Sequence, residues 1–145
     1  MSYEQYTATV RRFADDFWNK RNYAVADEVL APNYTSHDPA QGDAQRGIER
    51  YKQWAAQYHA AIPDLHLTID DIIADGNKVV WRWEARGTHK GPFMGIAPTG
   101  RPVHFSGTTV THFDKNGKWA EDWSHWNALG LYQQVGAVPN LQNAR

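Results

Sequence analysis

The sequence predicts an α+β domain in which N-terminal helices pack across a curved antiparallel sheet. Apolar residues recur every three or four positions up to about residue 62, and from Leu65 onward they alternate with polar residues. Helices followed by a run of antiparallel strands are typical of α+β domains. We therefore expect one domain over residues 1–145, with a core at about 6–136 and a frayed C-terminal tail.

Three helices are predicted before residue 63. The apolar stripe of the first comprises Tyr3, Tyr6, Val10, Phe13 and Phe17. The second is short, with Asn22 as its cap and Pro32 as its stop. A short extended piece at Tyr34–His37 and a polar loop come next. The third helix begins at Ile48, and Pro63 ends it.

Four strands and a last short helix are predicted after residue 64. The strands cover residues 65–74, 78–87, 103–113 and 118–127. Asp75-Gly76 and Asn116-Gly117 are the turns within the two hairpins. One face of the second strand carries Val79, Trp81, Trp83 and Ala85. Because a twisted sheet bends, helices laid across its concave side are expected to leave a pocket.

Composition and charge argue against several classes of function. The formal charge is −1 with no basic run, so nucleic acid is not an expected partner. The absence of cysteine excludes disulfides, a thiolate nucleophile and a Cys-ligated zinc site. We see neither a signal-peptide pattern nor a membrane-spanning stretch, and we expect a cytoplasmic protein without membrane contact.

Aromatic residues suggest a pocket for a small molecule. The chain has seven Trp and seven Tyr, whose rings combine apolar area with a polar group. Each ring alone is more often core than ligand contact, but as a set they favour a pocket. The residues predicted to bind the substrate are Trp18, Tyr34, Trp54, Tyr58, Trp83, Met94, Thr111 and Trp126. No phosphate loop, serine elbow or zinc-type histidine spacing occurs, so neither a cofactor nor a metal is expected.

Five motifs carry a family resemblance that spans about Tyr6 to Gly136. In chain order they are Tyr34-Thr-Ser-His37, Ile62-Pro-Asp-Leu-His66, Gly87-Thr-His-Lys-Gly91, Gly95-Ile-Ala-Pro-Thr-Gly-Arg101 and Leu129-Gly-Leu-Tyr-Gln-Gln-Val-Gly136. Together they resemble the SnoaL-like polyketide cyclases, or ester cyclases, of the nuclear-transport-factor-2-like superfamily. The resemblance implies a cone-shaped α+β fold. It also implies ring closure of a polyketide ester by an intramolecular aldol reaction, with an acidic side chain on the last strand and without metal or cofactor.

The resemblance also locates candidate catalytic residues. The reacting aspartate of the family falls on Ser124, and its histidine partner falls near Thr111. A hydroxyl at its ordinary pKa cannot take a proton from carbon near neutral pH, so Asp122, which shares a strand face with Ser124, is the candidate base. His37, Tyr34 and Ser124 are candidate donors.

Both of the main assignments have a structural alternative. Asp122 could instead pair with Arg82 or Arg86 across the sheet. His37 could be a loop histidine that bonds to nearby backbone.

The first functional hypothesis is a cofactor-independent enzyme of the cyclase, isomerase or dehydratase type that acts on a small, largely apolar carbonyl compound. A non-catalytic binding protein and a cofactor-free hydroxylase are the alternatives. A homodimer is expected, because Trp119 or Trp123 would otherwise leave apolar area exposed on the outer sheet face.

Overall fold

The computed structural model describes residues 1–139, which form a six-stranded sheet and four α-helices. The helices are α1 Tyr3–Arg12, α2 Ala24–Val29, α3 Ile48–Ala61 and α4 Ala128–Gln134. The strands are β1 Leu30–His37, β2 Gln45–Arg46, β3 His66–Asp75, β4 Lys78–Thr88, β5 Pro102–Phe113 and β6 Trp119–Trp126. A π-helix at Phe13–Asn19 continues α1, and a 3-10 turn at Pro39–Gln41 follows β1. The last six residues of the predicted frayed tail lie outside the described residues.

The sheet has the order β2-β1-β6-β5-β4-β3, with α1 against β3 and β4 and α3 against β1 and β2. The predicted α+β class is confirmed. The sheet is mixed, however, because β1 runs parallel to β6 while all other neighbours are antiparallel. The prediction of a wholly antiparallel sheet is wrong for this pair, since alternation along a strand does not encode the direction of its partner. This parallel pair sets Ser36 directly beside Asp122.

The second helix differs from its prediction at both ends. α2 begins at Ala24 without a side-chain cap, so Asn22 is not its cap. The chain is already in β1 at Leu30, and Pro32 lies inside this strand. The β1–β6 register shifts between Leu30 and Thr35, and such an irregularity accommodates a residue without an N–H.

The two-residue strand β2 lies in the segment that was predicted to be a polar loop, so this part of the prediction is wrong. Most of the remaining elements agree closely with their predictions. The capping box of Ser2 and Gln5 starts α1, and α3 ends one residue before Ile62. The face of β4 that was predicted to carry Val79, Trp81, Trp83 and Ala85 is the inner face, since each of these residues is at most 9% exposed. A single hydrophobic cluster joins this face to the helices. None of the helices within residues 1–139 is long and apolar enough to cross a membrane.

A β-bulge in β6 changes which side chains face the core. His112 pairs with Glu121 and Phe113 pairs with Trp119, which leaves Ala120 as an extra residue in β6. The bulge therefore brings Trp119 to the same side of the sheet as Asp122, and Trp119 is only 1% exposed. The prediction that Trp119 lies on the outer face is wrong, because strict alternation fails across a bulge. Trp123 is half-buried and lies on the outer face as predicted, stacked on His37.

Candidate functional site

A partly open pocket lies between α3 and the concave side of the sheet. It holds about 680 Å³ of space, including solvent at its mouth. Apolar side chains form most of its wall: Trp18, Tyr51, Trp54, Tyr58, Leu65, Leu67, Trp81, Trp83, Ala85, Phe105, Trp119 and Trp126. The polar lining residues are Ser36, Asp38, Gln41, Thr109, Asp122 and Ser124. The expected aromatic-rich pocket is therefore present, and its polar groups are few.

Asp122 is one of two buried carboxylates that line this pocket, the other being Asp38. Its Oδ2 accepts hydrogen bonds from the hydroxyl of Tyr34 at 2.7 Å and from Nε1 of Trp119 at 2.9 Å. Its Oδ1 has no hydrogen-bond partner within residues 1–139, although only 5% of the residue is exposed. The β6 bulge positions Trp119, and the parallel strand β1 positions Tyr34.

Burial raises the pKa of Asp122 from 3.8 to about 7. The hydrogen bonds from Tyr34 and Trp119 act in the opposite direction, because they favour the charged form, while the charge of Asp38 raises the pKa further. Neither Arg82 nor Arg86 contacts this carboxylate. Arg82 pairs with Asp70 and Asp71, and Arg86 pairs with Glu84. A carboxyl group that titrates near neutrality can both take and return a proton.

Hydrogen bonds fix the orientation of the indole rings in the wall. Trp81 and Trp83 donate through Nε1 to the hydroxyls of Thr111 and Thr109, each at 3.1 Å. Trp126 donates to Oδ2 of Asp38 at 2.9 Å. The indole N–H groups thus satisfy polar partners in the protein, which leaves ring surface for a ligand.

Tyr51 of α3 lines the pocket on the helix side and adds a hydroxyl group to its wall. Its hydroxyl oxygen accepts from Nε1 of Trp18 at 3.1 Å, and no acceptor for its own proton occurs within residues 1–139. Burial raises the pKa of Tyr51 well above 10, and the nearby charge of Asp122 adds to this shift. The phenol therefore keeps its proton at neutral pH and can donate it to a ligand oxygen.

Seven of the eleven predicted site residues line the pocket. These residues are Asp122, Ser124, Trp18, Trp54, Tyr58, Trp83 and Trp126. Ser124 bonds to Thr109 through the two hydroxyls at 2.9 Å. Two other predicted residues lie just behind the lining, because Tyr34 holds Asp122 and Thr111 holds Trp81.

The two remaining predicted residues lie away from the pocket. His37 is on the opposite face of β1, where Nε2 lies 2.6 Å from a carboxylate oxygen of Glu121 and the ring stacks on Trp123. Ser36 and Asp38 take the inward positions, since successive strand residues point to opposite faces. Met94 is 62% exposed in the loop between β4 and β5. His37 therefore does not supply a donor inside the pocket.

Several lining residues were missed by the sequence reasoning, chiefly Asp38, Tyr51, Trp81 and Trp119. Trp81 shares a predicted strand face with Trp83, which was predicted to bind the substrate, and Asp38 follows the parity of Ser36, so both could have been found. Trp119 could not, because its orientation depends on the bulge. Within residues 1–139 no three His, Asp or Glu side chains come together as a metal site, and the predicted absence of a cofactor stays a prediction.

Helices close one side of a curved sheet, and the pocket between them is aromatic and contains buried carboxylates. This combination is the one expected for a SnoaL-like protein. The family model for the SnoaL-like polyketide cyclases matches residues 8–135. The chain therefore belongs to the SnoaL-like polyketide cyclase family.

Solved structures agree with this assignment. A candidate polyketide cyclase from Acidithiobacillus ferrooxidans is 32% identical, with a TM-score of 0.83 over 94% of this chain and 99% of that chain. A candidate SnoaL-like polyketide cyclase from Jannaschia sp. CCS1 is 24% identical, with a TM-score of 0.85 over 96% and 98% of the two chains. AclR, a candidate hydroxylase from Streptomyces galilaeus, is also 24% identical and has a TM-score of 0.85 over 97% and 86%. The last two show the fold alone. A search of curated proteins found no match.

Proposed function

We propose that this protein is a cofactor-independent enzyme of the cyclase or isomerase type, with Asp122 as its acid–base group and a small, largely apolar carbonyl compound as its substrate. The observation that carries the proposal is the state of Asp122. This carboxyl group lines the pocket, is buried and has a pKa of about 7, and its Oδ1 has no hydrogen-bond partner among residues 1–139. A base of this kind is suited to removing a proton from carbon beside a carbonyl.

The proposed reaction begins when Oδ1 of Asp122 takes that proton and the C–H electron pair moves into the carbonyl to form an enolate. Tyr51 is placed to donate its O–H to the enolate oxygen, and Ser124 is a second donor at the pocket wall. In a cyclase the enolate carbon then attacks a second carbonyl of the same molecule. The new C–C bond leaves an alkoxide, which takes the proton back from Asp122. In an isomerase the proton returns to a different carbon.

The pocket wall supplies binding and orientation for this chemistry. Rings of Trp54, Tyr58 and Trp83 line it, and a flat carbonyl compound can stack against such rings. The same wall limits the access of water to Asp122, which sustains its raised pKa.

A direct test does not require the natural substrate. In D₂O, a base that abstracts carbon-bound protons exchanges them for deuterium, and NMR follows this exchange in a flat aromatic ketone such as 2-tetralone. We expect the protein to accelerate exchange and Asp122→Asn to lower the rate by about 10²–10⁴-fold, the usual contribution of a general base. The rate should rise with pH and level off above about 7, because the base must be ionised.

Two further variants test the role of Tyr51 and the specificity of the effect at Asp122. Tyr51→Phe removes one oxyanion donor and should slow exchange by about 10²-fold while Asp122 keeps its bonds. Asp71→Asn is the matched control, because it makes the same change on an exposed carboxylate that pairs with Arg82. Exchange that is equally fast in Asp122→Asn and in the unchanged protein would refute the proposal.

The alternative of a non-catalytic binding protein makes a different prediction. Ser124 and Thr111 fall at or near the positions of the family's reacting pair. Ser124 forms a hydrogen bond with Thr109, and Thr111 accepts one from Trp81. A binding protein would retain the ketone without exchange at any pH. The hydroxylase alternative requires that product formation depend on dissolved oxygen.

The homodimer and the cytoplasmic location also remain predictions. On the outer face, Ile73 is 64% exposed and Val80 is 38% exposed, and both lie apart from the pocket. Light scattering should return about twice the chain mass of 16.5 kDa if this face is covered by a second copy. A mass of one chain would contradict the dimer.

A further inference from the structure

The pocket carries negative charge without a positive side chain to balance it. Two of its lining residues, Asp38 and Asp122, are carboxylates, and none is Lys, Arg or His. Neither aspartate forms an ion pair with a side chain of residues 1–139, whereas four aspartates nearer the surface, Asp16, Asp27, Asp70 and Asp71, do. Within the described part of the chain, both buried carboxylates are thus bound only by neutral hydrogen-bond donors.

Asp38 shows this arrangement most clearly. It is only 4% exposed. Its Oδ1 accepts from the backbone N–H of Ala40 and its Oδ2 accepts from Nε1 of Trp126, both at 2.9 Å. Each oxygen therefore keeps a lone pair for a further donor. Burial of a carboxylate without a counter-charge is costly, and a cationic ligand would offset that cost when it binds.

The walls around the carboxylates are also suited to a cation. Six tryptophans line the pocket, and the indoles of Trp81, Trp83, Trp119 and Trp126 direct their N–H groups to protein acceptors. What remains for a ligand is the ring surface, whose quadrupole attracts positive charge. Asp38 and the ring of Trp126 lie together, so one cation can meet a carboxylate and an aromatic face.

We propose that the substrate carries a positively charged amine or quaternary ammonium group, and that Asp38 and the surrounding tryptophan rings hold this group. The inference rests on the proposed function only for the carbonyl end of the substrate. Asp38 is two residues beyond Ser36, which pairs with Asp122, so strand spacings place the α-carbons of Asp38 and Asp122 about 8 Å apart. An aminoketone of moderate length can place its amine at Asp38 and its acidic carbon at Asp122.

Choline and its uncharged carbon isostere, 3,3-dimethylbutan-1-ol, test the charge preference without any turnover. Calorimetry or ligand-observed NMR at pH 8 should show choline binding at least about tenfold more tightly than the alcohol. Asp38→Asn removes the charge and keeps an oxygen acceptor for one of the two present donors, Ala40 N–H or Trp126 Nε1, and it should remove the preference for choline over the alcohol. Asp71→Asn, which changes an exposed carboxylate, should leave both affinities unchanged.

A second readout needs no variant. Choline affinity of the unchanged protein should rise between pH 6 and pH 8, because Asp122 ionises with a pKa of about 7, while the affinity of the alcohol stays constant. The other titratable groups that face Asp122 are Asp38, Tyr34 and Tyr51, and burial raises the pKa of both phenols well above 10. His37 also influences Asp122 from the outer face. Asp122→Asn should therefore flatten most of this dependence.

The outcomes separate this inference from the proposed function. Equal binding of choline and the alcohol, or a preference for choline that survives Asp38→Asn, would overturn the cation site even if ketone exchange depends on Asp122. A preference that requires Asp38 would support the cation site even if no ketone undergoes exchange.

Discussion

Replacement of Asp122 by Asn should stabilise the protein at alkaline pH although it removes the proposed base. The pKa of Asp122 is raised from 3.8 to about 7, so between these values the folded protein holds a proton that the unfolded chain has lost. The free energy of unfolding must then fall as the pH rises through this window. A shift of about 3 units at about 1.4 kcal/mol each gives a loss of about 4 kcal/mol, complete above pH 7.

Asn is a suitable replacement because its amide oxygen can accept the bonds from Tyr34 and Trp119 that Oδ2 accepts now. It has no charge to bury, so Asp122→Asn should gain up to about 4 kcal/mol over the unchanged protein at pH 8 and little at pH 4. Urea unfolding followed by tryptophan fluorescence at several pH values measures both proteins. The difference between them removes the contributions of other titrating groups.

Asp71→Asn provides the control, because the exposed pair of Asp71 with Arg82 should contribute less than about 1 kcal/mol. A difference between Asp122→Asn and the unchanged protein that is the same at pH 4 and pH 8 would show that burial does not raise this pKa. The proposed base would then lack its main support.

Two other predictions concern stability away from Asp122. His59 is buried between α3 and the π-helix, and its Nδ1 lies 2.5 Å from the hydroxyl of Tyr23. Burial lowers the pKa of His59 from 6.5, so the neutral ring stabilises the fold above pH 6.5 and this stabilisation declines in acid. His59→Gln should weaken this acid dependence. Urea unfolding at pH 8 should show a loss of about 1–3 kcal/mol in the free energy of unfolding. Gly91→Ala would make a Cβ clash with the carbonyl oxygen of Ala60. Thermal unfolding should show a loss of about 2–4 kcal/mol in the free energy of unfolding. An unchanged melting temperature would contradict this contact.

Much of the fold could be read from periodicity alone. The common face of Val79, Trp81, Trp83 and Ala85 was predicted correctly because side chains alternate between the two faces of an unbroken strand. The positions of α3 and the hairpin turns followed from proline and glycine in the same way. These features depend on local spacing, which the sequence contains in full.

The sequence also determined that an acidic group and many aromatic rings would share one pocket. Parity along the last strand placed Asp122, Ser124 and Trp126 on a common face, and all three line the pocket. The prediction that His37 faces the pocket was wrong, since the pattern in a short extended piece did not show which of its two faces meets the core.

Only the tertiary structure decided the surroundings that give Asp122 its chemistry. The parallel alignment of β1 with β6 brings Tyr34 to the carboxylate across 88 positions of sequence, and the bulge at Ala120 turns Trp119 toward it. Neither strand direction nor a bulge leaves a periodic signal, because both arise from pairing between distant segments. The residue type was therefore fixed by the sequence, whereas its burial, hydrogen bonds and raised pKa depend on how distant strands meet.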